Sequence, residues 1–174
     1  MVFDFVNLAA ISFKVKKSYM AFVSQNKLTK FNTQLTFEIV MDELILETRC
    51  AKVYYNPDVK LGKVVWDGTP NLVEYKEPFL KLIEHSKKVP ISNFLSDTTK
   101  QGVVNPEIRK WFEKEMLPSA MKAGLKRAAA VSDSNVLKRY YINMIIGATN
   151  KFALPVKVFS KEEEAIKWFI ECEK

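Results

Sequence analysis

From Arg49 to its end the chain alternates short β-type runs with helical stripes, a rhythm that confines it to α/β folds. Cys50-Ala-Lys-Val-Tyr-Tyr55, the turn residues Asn56-Pro57-Asp58 and Leu61-Gly-Lys-Val-Val-Trp66 predict a β-hairpin. Thr69-Pro70 reads as an N-cap and first helical residue. Leu72, Tyr75, Phe79, Leu82 and Ile83 then share one helical face, with Pro78 expected to kink or restart the helix. Ile91 to Leu95 is a short apolar strand, the one nearest the middle of the sheet, closed by Ser96-Asp97-Thr98-Thr99. Asn105-Pro106-Glu107 opens a second helix bearing Ile108, Trp111, Phe112 and Met116, and Pro118 should break it before Gly124.

Leu125 to Val131, centred on three alanines, has the small, unbroken apolar character of a strand covered on both faces. Asp133 or Ser134 can cap a helix with Val136, Leu137, Tyr140, Tyr141, Met144 and Ile145 on its buried stripe. Pro155 to Phe159 is a further strand. Ser160 with Glu163 is a capping box for a last helix whose core face is Ala165, Ile166, Phe169 and Ile170. The resulting order, β-β-α-β-α-β-α-β-α, predicts a mixed sheet with helices packed on it, its later strands parallel through right-handed crossovers.

Composition bounds the partners. All five glycines and all seven prolines lie beyond Met41, so residues 1–40 are expected to be an N-terminal extension, either an added edge strand around Leu35 to Val40 or the product of an over-called start, and residues 41–174 the α/β domain. The formal charge of +7 is spread among acids and is not interleaved with aromatics, and no nucleic-acid-binding signature accompanies it, which makes nucleic acid an unlikely partner. No apolar run approaches the roughly 20 residues of a membrane span, and the start lacks a secretory pattern, so the expected compartment is the cytoplasm. Cys50 and Cys172 are too few for a disulfide framework and are expected to be small apolar fillers.

No residue pattern implies an enzyme or a cofactor. His85 is the only histidine, without nearby ligands for a metal or a marked serine for a triad, and is expected to complement a helix end. Asp97-Thr98-Thr99 suits turn capping better than a phosphoryl-accepting aspartate, because side chains of these types bond neighbouring amides at a strand end. Asp97, Thr98, Thr99, Lys100 and Asn105 are the candidate binding residues, since open α/β sheets present ligands and partners at their carboxyl edge. Lys100-Gln101-Gly102 lacks the close glycine pair of a phosphate loop. Trp111, Phe112, Tyr140, Tyr141 and Met144 are the candidates for an apolar pocket, although stripes of this spacing usually form core. Glu162-Glu163-Glu164 reads as the acidic first turn of a helix.

Asn93-Phe-Leu-Ser-Asp-Thr-Thr99, Asn105-Pro-Glu-Ile-Arg-Lys-Trp111, Leu117-Pro-Ser-Ala120 and Gly124-Leu-Lys-Arg-Ala-Ala129, in this element order, resemble the STAS/SpoIIAA-like family, in particular its bacterial STAS/SEC14-domain branch. The resemblance covers about Glu43 to Glu171. It implies a non-catalytic module acting through a protein partner or self-association, or, as in Sec14-like relatives, through a small apolar ligand between sheet and helices. Anti-sigma-factor antagonists of the family carry a switch serine at the start of the helix after the central strand. Here that turn is Val103-Val104-Asn105-Pro106, without a hydroxyl, which removes the expected phosphorylation switch.

Overall fold

The computed structural model describes residues 42–133, Gly147 and 152–173. Within them, strands β1 (Glu43–Glu47), β2 (Ala51–Asn56), β3 (Leu61–Gly68), β4 (Asn93–Gln101), β5 (Arg127–Val131) and β6 (Val156–Phe159) form one sheet in sequential order. β1, β2 and β3 pair antiparallel, and β3 through β6 pair parallel. The mixed sheet, the hairpin, the central place of β4 and the parallel later strands are as the sequence predicts. β1 is an additional strand. The expected helix over Val136 to Ile145 lies outside the described residues.

Helices follow the strands: α1 (Leu72–Ser86), α2 (Pro106–Trp111), α3 (Leu117–Lys122) and α4 (Glu162–Glu171), with a π-helical turn over Phe112–Met116 joining α2 to α3. Alternation along the strands sends side chains to two separate cores. Val64 and Trp66 meet Tyr75, Phe79 and Leu82 of α1 and Ile108 and Trp111 of α2 on one face. On the other, Leu61, Leu95, Ala129 and Val131 meet Ala165, Trp168 and Phe169 of α4. At Gly62, a Cβ would lie 2.8 Å from Leu82 Cδ2, so glycine here lets α1 sit close on the sheet.

Four helix boundaries depart from the sequence reading. The cap of α1 is Asn71, whose Oδ1 accepts from the amides of Val73 (2.9 Å) and Glu74 (3.0 Å), while the Asn71 amide donates to Glu74 Oε2 at 2.9 Å. This full capping box outcompetes Thr69, whose hydroxyl offers less and which packs beside Gly102 instead. Pro78 does not restart α1, which runs unbroken from Leu72 to Ser86, and its buried ring offsets the lost backbone bond. Pro118 does not break the second helical stretch: the π turn, closed by the Leu117 amide on the Phe112 carbonyl, rearranges the bonding ahead of a residue that cannot donate. Lys161, rather than Ser160, takes the N-cap of α4 without a side-chain bond, ahead of the acidic turn Glu162-Glu163-Glu164. In that helix Trp168 is buried and Ile170 is exposed, reversing the expected face at those two positions.

The α1 cap ties into the β1–β2 connection through Arg49, whose Nε and Nη2 each donate to Glu74 at 2.7 Å. Those bonds, with the Asn71 amide, hold the Glu74 carboxyl at about 2, down from 4.5. A carboxyl whose folded value is depressed adds stability above its unfolded value and loses it as pH falls through the folded one. The Glu74→Gln variant is therefore expected to melt at lower temperature at neutral pH and to show a flatter decline from about pH 4.5 to about 2. Thermal melts across that range check this; parallel acid limbs for the two proteins would contradict it.

Candidate functional site

Among the described strands β4 is the longest, and its carboxyl end carries the candidate binding residues. Asp97, Thr98, Thr99 and Lys100 lie within the strand, which runs on to Gln101, and not in a loop after it. Val65 pairs with Asp97 and Asp67 with Lys100, so β4 has one residue more than β3 over this interval and forms a bulge at Thr98-Thr99. Asp97 Oδ1 stabilises the bulge by accepting from the Thr99 amide (2.9 Å) and the Thr99 hydroxyl (2.7 Å). The capping expected of this tripeptide is present, but it shapes a strand. Thr98 Oγ1 donates to the Val131 carbonyl at 2.9 Å, just past the last β4 to β5 pair, Asp97 with Val131.

Beyond that pair β4 extends four residues with β3 as its strand partner, and Lys100 is exposed. The Gly102 amide donates to the Gly68 carbonyl at 2.9 Å, and a Cβ at Gly102 would lie 1.9 Å from Thr69 Oγ1. The chain thus turns in tight contact with the end of β3. Val103 follows with 62% of its surface exposed. Asn105 then caps α2, its Oδ1 accepting from the Ile108 amide at 2.9 Å with Pro106 in the first helical turn. Asp97, Lys100, Val103 and Asn105 therefore follow one another along the carboxyl end of β4 and the turn into α2, with Asn105 committed to its cap.

Asp97→Ala removes the two bonds that pin the bulge. Its expected cost is about 0.5–2 kcal/mol, the range of a lost side-chain cap, with cooperative melting preserved. A loss near that of a core deletion would show that Asp97 supports far more than the bulge.

The aromatic candidates separate. Trp111 is buried in the α1 and α2 core, its ring centroid 6.3 Å from Tyr75 and 6.1 Å from Phe79, with Lys76 Nζ 5.1 Å from its ring. It does not line the apolar cavity between the sheet and these helices. Phe112 does, with Phe79, Leu82 and Ile91 on one side and Phe94 and Ala128 on the other; among the described residues this cavity has a volume of about 110 Å³. Tyr140, Tyr141 and Met144 lie outside the described residues. The lining from α1 was legible only as a core stripe, because cavity and core walls use the same residue types.

His85 sits in the last turn of α1, its ring 5.0 Å from that of Tyr55 in an edge-on contact, and its Nε2 is buried without a hydrogen-bond partner. Cys50 is the buried filler expected, but Cys172 is exposed near the end of α4. Among the described residues no group of three or more His, Cys, Asp or Glu is placed to hold a metal ion, and no helix is long and apolar enough to cross a membrane.

The family model described as SpoIIAA-like matches residues 61–169, more than half of the chain. Among solved structures, the chain is similar to an uncharacterised protein of the DUF3478 family with a SpoIIAA-like fold from Shewanella loihica PV-4, at 15% identity and a TM-score of 0.47, covering 74% of this chain and 92% of that one. No curated protein matches.

Proposed function

This chain belongs to the SpoIIAA-like family, a non-catalytic fold, and from that premise we propose that it is a regulatory module working through protein contacts at the carboxyl rim of β4. The observation that carries the reading is a contrast between that rim and the cavity. An engineered apolar cavity that accepts benzene measures about 150 Å³, and pockets for drug-sized ligands span about 300–1,000 Å³. At about 110 Å³ the cavity beneath Phe112 is smaller than either, too small to enclose an acyl chain. The rim, by contrast, offers Lys100 and Val103 to solvent on a backbone fixed by the bulge and by Gly102.

A charge and an apolar side chain on a preorganised edge suit a protein surface, because little side-chain and backbone freedom is lost on docking. The partner is a second protein or a second copy of this chain. Regulation here works without the family's switch serine, since Asn105 is engaged in capping α2. Residues 41–174 form the folding unit in this reading, and a chain starting at Met41 is expected to melt cooperatively; loss of cooperative melting would make the first forty residues integral to the fold.

The second reading, a carrier or sensor of a small apolar ligand, is favoured by the cavity's position between sheet and helices and by its apolar lining. The two readings part on surface variants. Val103→Asp, at an exposed position, should abolish partner binding or self-association in sedimentation and cross-linking without lowering the melting temperature. Unchanged association in V103D, together with a retained apolar molecule that Ala128→Leu displaces from the cavity, would favour the ligand reading.

A further inference from the structure

The opposite end of the parallel sheet carries a second feature, independent of the rim. Leu61, Asn93 and Arg127 are paired in register across β3, β4 and β5, which aligns Lys60, Ser92 and Lys126 immediately before the three strands. Their backbones are locked together: the Ser92 and Asn93 amides donate to the Lys60 carbonyl at 3.0 and 3.1 Å, and the Lys126 and Arg127 amides donate to the Ser92 carbonyl at 2.8 and 3.2 Å. Around them lies a cleft of about 590 Å³ of mixed polar and apolar lining, which also takes in Ile91, Ala123, Gly124, Cys172 and Glu173. The volume falls within the range of small-molecule sites, about 300–1,000 Å³.

Three cations line this cleft against one carboxylate, Glu173. Arg127 is oriented by fully buried Asn93, whose Oδ1 accepts from Nη1 at 3.2 Å, and by the Cys172 carbonyl, which accepts from Nη2 at 2.9 Å. Those bonds use two of its five N–H donors. Ser92 is 9% exposed, and its hydroxyl is a buried side-chain group without a hydrogen-bond partner. An unpartnered buried hydroxyl is costly, and Ser92 is part of this cleft's lining, where a bound acceptor would relieve that cost. Lys87 and Lys88 at the end of α1 and Lys122 at the end of α3 add exposed positive charge at the same end of the sheet.

We propose that this amino-edge cleft binds a phosphate monoester group, with Lys60 and Lys126 supplying charge, Arg127 a fixed fork and Ser92 a neutral donor. The group can arrive on a soluble metabolite or as a lipid headgroup. Titration of the full chain with inorganic phosphate, followed by amide NMR, should give saturable shifts at Ser92, Lys126 and Arg127. Lys60→Gln with Lys126→Gln should weaken binding by about tenfold or more, the loss of charge-assisted bonds, while leaving the melting temperature unchanged because both side chains are exposed. Ser92→Ala should weaken binding several-fold without destabilising the fold. Cosedimentation with phosphatidylcholine vesicles containing phosphatidic acid separates the sources: retention that disappears in K60Q/K126Q assigns a headgroup, and phosphate binding without retention assigns a soluble ligand. Absence of both, or binding equal in wild type and K60Q/K126Q, overturns the proposal.

Discussion

Trp111→Ala is expected to cost about 3–5 kcal/mol, the range for removing a buried large aromatic. The side chain is 8% exposed and contacts Tyr75 and Phe79, so its loss leaves a hole between α1 and α2 that the fixed strands cannot close. Aromatic contacts of this kind add to the area term. Denaturant titration followed by circular dichroism measures the loss, and the denaturant slope should stay near the wild-type value if the native state keeps its compactness. The result also bears on function. Should Trp111→Ala abolish an interaction while leaving stability intact, the aromatic helix and not the β4 rim would carry the binding surface.

Lys63→Met is the second large effect. The Lys63 ammonium lies under α4, paired with Asp42 and with Glu162 Oε1 at 2.7 Å, and 5.0 Å from the Tyr54 ring. Its side chain is 10% exposed, whereas the Asp42 and Glu162 side chains keep 20% and 31%. Removing one partner of a buried ion pair costs about 3–5 kcal/mol, and the residual solvent access of the carboxylates puts this case near 3 kcal/mol. The triple variant K63M/D42N/E162Q should recover much of that loss, since no buried charge is left unpaired. Burial pulls the Lys63 ammonium down, but its bonds to Asp42 and Glu162 outweigh that and hold it above its ordinary 10.5. A raised folded value means a contribution complete below about pH 10.5 and lost as pH rises through the folded value. Wild type should therefore show an alkaline loss of stability, above that pH, that K63M lacks.

The readable parts of this fold were those in which local and tertiary preferences agree. Asn105-Pro106 caps α2 as expected because a polar acceptor followed by proline has few other uses at that point. The three alanines of β5 lie between two strand neighbours, where small apolar residues belong. Misreadings arose where packing overrode a local signal. Pro78 and Pro118 are breakers in isolation, yet one is fully buried within an unbroken helix and the other follows a π turn. Asn71 and Glu74 form a capping box that was visible in the sequence, but the adjacent Thr69-Pro70 matched a simpler start pattern. β1 has a mostly exposed or half-buried Glu-Leu-Ile-Leu-Glu pattern with little strand signature of its own, and its place depends on pairing with β2.

The candidate site was legible in identity more than in geometry. Sequence spacing located Asp97 to Lys100 at the end of the central strand, but a bulge is a register property that exists only once β3 is alongside. The amino-edge cleft was invisible for the same reason: Lys60, Ser92 and Lys126 are far apart in the chain and meet through strand register. Trp111 and Phe112 are adjacent in sequence, and only their placement around the helical axis assigns one to the core and the other to the cavity wall.

Native mass spectrometry of the full chain purified from its own host separates a protein-binding module from a carrier of an apolar ligand. The expected mass is that of the polypeptide alone, or of its complex with a protein partner or a second copy, with the complex lost in V103D. A retained apolar small molecule of lipid mass, displaced when Ala128→Leu fills the cavity, would contradict it.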